Sequence, residues 1–411
     1  MDTVPSAGSS RVVREVLVAF LRLGMTSFGG PVAHLAYFRR TLVQERQWVT
    51  EAEYARIVAF CSVLPGPTSS QTAMLLGMLR AGPLGGFAAW LGFTLPSALI
   101  MASIAAALAA AGNAYDRPDA RPAGLSAAAF SGLLVGLGAA AVAVVAQAVV
   151  GLARSLCRDV PTRLIAVGAL GLALALRTQP TLQWLPIAAG GAVGLLVLHR
   201  IAGATEGLPL RVPRAVAIGS GAIFVVLAAL AIVPRPPATD LIGTILRAGT
   251  FVFGGGHVVL PLLRSAVTDG LIGEKAFFAG YGAVQAMPGP LSSFASYLGW
   301  WNSSPLRGPA GAAVATVLFF LPSFALVFAL APVWNRIAVL PRAGGAVAGA
   351  NAAVVGLLVA VIVESVAFGP VGRSAPAILI ALAAFVVIAA SRVPPWIVVV
   401  AAAALGAAVH A

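Results

Sequence analysis

Leu21-Arg22-Leu23-Gly24-Met25-Thr26-Ser27-Phe28-Gly29-Gly30-Pro31 is answered 225 residues later by Leu246-Arg247-Ala248-Gly249-Thr250-Phe251-Val252-Phe253-Gly254-Gly255-Gly256. Two more pairs follow in the same order. Leu64-Pro65-Gly66-Pro67-Thr68-Ser69-Ser70 returns as Met287-Pro288-Gly289-Pro290-Leu291-Ser292-Ser293, and Leu95-Pro96-Ser97 returns as Leu321-Pro322-Ser323. Three paired motifs in register mark an internal duplication. In a membrane protein, helices interrupted by Gly and Pro at matching places in two halves point to a secondary transporter with its binding site where the halves meet.

Composition places the chain in a membrane. Hydrophobic residues make up 60% of it and charged residues 9%, with a mean hydropathy of +0.96; soluble domains carry roughly 25% charged residues. Apolar stretches near the ~20 residues that cross a bilayer recur from Gly86 to Val409. The expectation is an all-α polytopic membrane protein of about 10 to 13 transmembrane segments in two homologous, inverted repeats. The repeats are taken as 11–198 and 240–411, with 199–239 as linker and bridging transmembrane helix. No β-barrel alternation is present.

The net charge of +13 suggests nucleic acid at first sight, but the basic residues are scattered between apolar spans and form no basic domain, so no nucleic-acid partner is expected. Their placement is topological. The joint from Arg39 to Arg56 holds Arg39, Arg40, Arg46 and Arg56, whereas its counterpart from Arg264 to Phe278 holds Arg264 and Lys275. Basic residues accumulate on the cytoplasmic side, so the richer joint is read as cytoplasmic and the poorer one as facing outward, which is what inverts the repeats. Cys61 and Cys157 lack metal-ligand spacing and read as packing residues. The first ten residues lack the apolar core of a signal peptide. Enzymatic chemistry would need clustered His, Asp or Glu, and the spans contain no such cluster, so neither catalysis nor a cofactor or metal is expected.

The motifs have a physical reading as an anion site. Gly29-Gly30-Pro31 and Gly254-Gly255 break their helices and free backbone groups for a solute or a neighbour. Pro65-Gly66-Pro67 followed by Ser69, Ser70 and Gln71 reads as a helix start with Pro67 at its first position and amide donors exposed, and Pro288-Gly289-Pro290 with Ser292 and Ser293 reads as a second. Helix starts suit anions. Arg22 and Arg247 match at the repeat offset, and an ionisable residue within a span is a functional candidate by default. His34 and His257 follow the glycine motifs, and Glu364 lies in a late apolar run; these three are the candidates for proton coupling. A cation channel or cation/proton antiporter would rest on Glu364 alone and is the weaker reading.

Phe20-Leu21-Arg22-Leu23-Gly24 running into Ser27-Phe28-Gly29-Gly30-Pro31, then Leu64-Pro65-Gly66-Pro67 with Ser69-Ser70-Gln71, then Trp90-Leu91-Gly92-Phe93-Thr94-Leu95-Pro96-Ser97, resembles the chromate ion transporter family in its long form with two homologous halves. The resemblance covers roughly Arg14 to Ala390. It implies a bacterial inner-membrane protein that exports chromate, with sulfate as the chemically similar ion and uptake of sulfate or another oxyanion as the alternative. The second copy departs from the first, with Gly256 for Pro31 and Phe294 for Gln71, so unequal contributions from the halves are expected. A homodimer is left open.

Overall fold

The computed structural model describes residues 10–115, 127–179, 182, 184–198, 210, 212–233, 241–252, 262–263, 272–301, 306–334, 340–367, 371–391 and 393–410. Among these residues the fold is all α, with no strand. The first repeat contains α1 (Ser10–Thr26), α2 (Gly30–Phe38), a π-helical turn at Arg39–Glu45, α3 (Glu51–Val63), α4 (Thr68–Tyr115), α5 (Ala127–Leu156), α6 (Val160–Ala175) and α7 (Leu185–Val197). The bridging helix α8 (Arg214–Ile232) leads to α9 (Leu241–Phe251), α10 (Glu274–Gln285), α11 (Phe294–Trp300), α12 (Pro309–Leu330), α13 (Pro341–Ala367), α14 (Ala375–Ala390) and α15 (Pro395–His410).

Among the described residues five segments are long and apolar enough to cross a membrane, lying in α4, α5, α8, α12 and α13, and five shorter apolar helices accompany them. Among the shorter ones, α7 has 13 residues and extends about 20 Å at 1.5 Å per residue, less than the ~30 Å hydrocarbon core. Large apolar side chains stand exposed on the outer helices, among them Leu164, Leu196, Ile218, Val225 and Leu379. Such a surface belongs against lipid.

Glycines decide how the helices turn and approach. Ala81 and Gly82 leave helical geometry inside α4, with Gly82 at φ +67°, and the segment Thr68–Arg80 folds back on the rest of α4. At that crossing Gly77 lies against the Gly85 carbonyl. The second repeat does the same, with Gly308 at φ +67° and Gly299 against the Gly311 carbonyl. Both repeats therefore build a hairpin whose first helix begins at the Pro-Gly-Pro motif.

The two repeats are interlocked. In the second half of each repeat, the long helix packs on the short helices of the other: α5 on α14 and α15, and α13 on α6 and α7. Gly136 of α5 meets the Ala402 backbone and Gly406 of α15 meets Gly132, while Gly349 and Gly345 of α13 meet Gly190 and Gly194 of α7. Small residues let membrane helices approach backbone to backbone. The reciprocity identifies a pseudo-two-fold relation.

At one end of the first repeat a charged layer gathers at the basic joint. Arg39 pairs with Glu51 and Arg40 with Glu45, both at 2.9 Å, and Glu15 of α1 bridges Arg46 and Arg80, whose guanidinium groups both lie 5.5 Å from the Trp48 ring. The start of α3 there is a capping box: the Glu53 carboxylate accepts from the Thr50 amide at 2.8 Å and from its hydroxyl at 2.9 Å. These bonds, the amide first, hold Glu53 below the usual carboxylate range. A carboxyl depressed in the folded state stabilises above its unfolded pKa and loses that contribution as pH falls through the depressed value. Amide protection at the start of α3 should therefore drop on acidification below the ordinary carboxylate range, and hydrogen exchange should show a flat profile in Glu53→Ala.

Candidate oxyanion site

The motifs that repeat in sequence meet across the halves in space. The Gly66 amide donates to the Val252 carbonyl at the end of α9, at 2.6 Å, and the Gly289 amide donates to the Ser27 carbonyl at the end of α1, at 2.9 Å. Ser27 and Val252 stand at equivalent positions of the repeat. Gly66 has φ +124° and Gly289 φ +92°, conformations open to glycine and costly to other residues. A Cβ on Gly66 would lie 2.5 Å from the Ser323 Cβ, and one on Gly289 would lie 2.8 Å from the Ser97 Oγ. Thus each Pro-Gly-Pro tip is held between the helix break and the Leu-Pro-Ser serine of the opposite repeat.

The helix starts differ in one respect from the sequence expectation. Pro67 is the residue before the helix, not its first turn: its carbonyl accepts from the Ser70 and Gln71 amides at 2.9 and 3.0 Å. The Thr68 and Ser69 amides are then the ones without an intrahelical acceptor. Pro290 occupies the same place before a 3-10 turn, Leu291–Ser293, that runs into α11.

Ser69, Ser70, Gln71, Ser292 and Ser293 are all buried. Ser293 Oγ donates to the Pro290 carbonyl at 2.8 Å, and Gln71 Nε2 donates to the Pro65 carbonyl at 2.9 Å. Ser27 Oγ, Ser70 Oγ, Thr94 Oγ1, Thr250 Oγ1, Ser292 Oγ, Ser323 Oγ and Gln71 Oε1 are buried polar atoms without a hydrogen-bond partner among the described residues. Buried polar groups are almost always paired, and a cluster of exceptions calls for an explanation. All of them lie on the tips, on the ends of α1 and α9, or on the turns of α4 and α12 beside Phe93 and Phe319, where Gly24 and Gly249 abut backbone. Of these, Ser27, Thr94, Thr250 and Ser323 escaped the motif reading as site residues, as did Ser97, whose Oγ donates to the Thr94 carbonyl at 3.0 Å, although the Leu-Pro-Ser pairing was a usable signal.

The remaining candidates divide. Gly29 and Gly30, at φ +95° and +78°, turn the chain from α1 into α2, where Pro31 sits in the first turn as a helix break requires. His34 of α2 is buried, its Nδ1 3.4 Å from Ser69 Oγ and its ring edge-on to Phe93 at 5.2 Å, so it joins the first tip. Arg22 and Arg247, equivalent in sequence, are not equivalent in space. Arg22 is exposed on α1, away from the face of Val12, Val16, Ala19, Phe20 and Leu23 that α1 buries. Arg247 is buried because α8 covers α9, and it reaches the Ala231 carbonyl near the end of α8 at 3.4 Å and Thr244 Oγ1 at 3.2 Å. A guanidinium there meets the negative end of a helix. Glu364 lies half-buried near the end of α13. Gly254, Gly255 and His257 lie outside the described residues. Cys61 and Cys157 are buried free thiols.

The family model of chromate transporters matches residues 14–195 and 239–407, one stretch for each repeat. The chain belongs to the chromate transporter family. The chromate transport protein of Pseudomonas aeruginosa is 31% identical to it over 353 residues, 85% of this chain and 80% of that protein. The chromate transport protein of Cupriavidus metallidurans is 27% identical over 372 residues, 85% and 82% of the two chains, and a probable chromate transport protein of Synechococcus elongatus is 29% identical over 366 residues, 85% and 84%. No solved structure matches the chain significantly. In this chromate transporter family member, both matched stretches contribute a Pro-Gly-Pro tip to the same central cluster.

Proposed function

We propose that the chain is a secondary transporter of the bacterial inner membrane that carries chromate out of the cytoplasm, with sulfate as a competing ion, and that the oxyanion is held between the two Pro-Gly-Pro tips. The observation that carries this reading is the reciprocal seating of Gly66 and Gly289 on the opposite repeat, beside buried hydroxyls that have no hydrogen-bond partner among the described residues. A tetrahedral dianion needs several donors at once, and hydroxyls can turn their protons toward it. Two helix starts facing it add about half a positive charge each. The family supports chromate as the cargo.

Because the repeats are interlocked, access to such a site alternates by rocking of one helix bundle, built from both repeats, against another. Outward movement of a dianion is favoured by an inside-negative potential, each charge being worth ~2.3 kcal/mol per 100 mV, so export requires no coupled ion on energetic grounds alone. If a proton is carried, His34 beside Ser69 is the group positioned to exchange it. The reading does not depend on Arg22, which is exposed on α1, or on Arg247, which reaches the Ala231 carbonyl near the end of α8.

Everted vesicles containing the protein should accumulate chromate, and excess sulfate should suppress the uptake. Ser70→Ala and Ser292→Ala should each lower the flux by about tenfold, as expected when a hydrogen bond to a charged group is removed. Flux unaffected by both variants would discard the site. Uptake only into right-side-out vesicles would replace export by oxyanion import.

A further inference from the structure

Outside the three motifs, a fourth pair of residues repeats across the halves. Gly194 of α7 and Gly406 of α15 make equivalent contacts, and at the same spacing Trp184 at the start of α7 corresponds to Trp396 in the first turn of α15. Gly190 abuts Gly349, and Gly136 abuts Ala402. Counting six residues back along each short helix sets Trp184 beside about the middle of α13 and Trp396 beside about the middle of α5. Both indoles are therefore deep, level with the centre of a spanning helix.

Both indoles also bridge the repeats at a helix break. Trp184 stacks on Phe251, the last residue of α9, with ring centroids 5.3 Å apart and planes 19° apart. Its neighbour Val252 accepts the Gly66 amide. Trp396 meets Phe28, the residue after Ser27, at 6.1 Å and 39°. One contact is a parallel stack with the indole partly buried and Trp184 Nε1 without a partner among the described residues; the other is tilted, and Trp396 is 38% exposed. At the repeat offset of 225 Phe28 corresponds to Phe253 and Phe251 to Thr26, so the tryptophans are equivalent while their ring partners are not. What the two contacts share is that each ties a helix break to the other repeat, where alternating access must break and remake contacts.

We infer that Trp184 and Trp396 are the two gates of the passage, each closing the central cluster toward a different face of the membrane by stacking across the repeats. The inference rests on the inverted alternating-access reading above. It assigns the barrier to ring stacking and not to the indole donor.

The test uses full-length protein with Cys61→Ala and Cys157→Ala, carrying Ser323→Cys as a reporter beside the Gly66 tip. A membrane-impermeant maleimide is applied to right-side-out and to everted vesicles. Trp184→Ala should raise labelling severalfold from one face only, and Trp396→Ala from the opposite face only. Phe at either position, which can still stack, should label as the parent does. Leu at either position keeps apolar volume without a stack and should open the same face as Ala, which covers the case of an alanine variant that does not fold. Opening from the same face in both variants, from both faces in one, or unchanged labelling in the folded Leu variants would overturn the inference. Labelling involves no substrate, so sided opening without chromate flux would discard the oxyanion site and keep the gates, and flux without sided opening would do the reverse.

Discussion

Gly66→Ala should reduce chromate flux by at least about 100-fold, the scale expected when a binding group is displaced by about 1 Å. The backbone there has φ +124°, which an L side chain adopts at a cost of roughly 1–3 kcal/mol. The added methyl group would also lie 2.5 Å from both Gln71 Nε2 and Ser323 Cβ and 2.8 Å from Ser323 Oγ. Neither neighbour can yield cheaply, because Gln71 is tied to the Pro65 carbonyl and Ser323 is on a packed turn of α12. The tip must then lift off the other repeat and release the Val252 carbonyl. Ser323→Gly in the same chain removes one of the two obstacles and should restore part of the flux. Gly289→Ala is expected to be milder, since its methyl group would meet Ser97 Oγ at 2.8 Å and the Gly24 carbonyl at 3.2 Å. Vesicle flux of the three variants decides the matter: parental flux in Gly66→Ala would show that the tip is not seated where transport needs it.

Gly349→Leu should prevent recovery of folded protein. Even a single Cβ at this position would collide with the Gly190 carbonyl and come within 2.8 Å of Gly194 Cα. The obstacle is backbone, which has no rotamer to change. Overpacking costs typically 1–3 kcal/mol where side chains can adjust, and more than about 3 kcal/mol is expected here, against total stabilities of about 5–15 kcal/mol. The matched control is Gly168→Leu on α6, where a Cβ meets nothing within 4 Å and the added side chain would face lipid. Yield of monodisperse protein in detergent and its thermal midpoint should separate the two variants sharply. Equal stability would mean that α7 and α13 do not meet through their glycines.

The contrast between those two glycines shows what can be read from the chain without coordinates. The repeat was legible because its motifs depend on local backbone chemistry: Gly66 and Gly289 need a rare φ, and Gly82 and Gly308 turn a helix back, so the residue type itself survives in both copies. Partner choice was not legible. Nothing local in Gly136 or Gly349 says that the facing helix belongs to the other repeat, because any small residue permits close approach. The different surroundings of Arg22 and Arg247 were not legible for a related reason: their equivalence in sequence is broken by α8, which covers one and not the other. The tryptophans were missed because they repeat at a different spacing from the three motifs, the loops between having changed length. Pro67 was placed one residue too far into its helix, within the usual uncertainty of helix ends.

The exchange of long helices between the repeats also sets an order of events during synthesis. The glycine face of α5 at Gly132 and Gly136 is completed by α15, which ends at His410. At ~5–20 residues per second, roughly 13 to 50 s pass between emergence of one and the other. During that interval α5 sits in the bilayer with its closest-packing surface open to lipid. The first repeat, although it holds every motif of a half-site, therefore waits for α15, the helix that locks it.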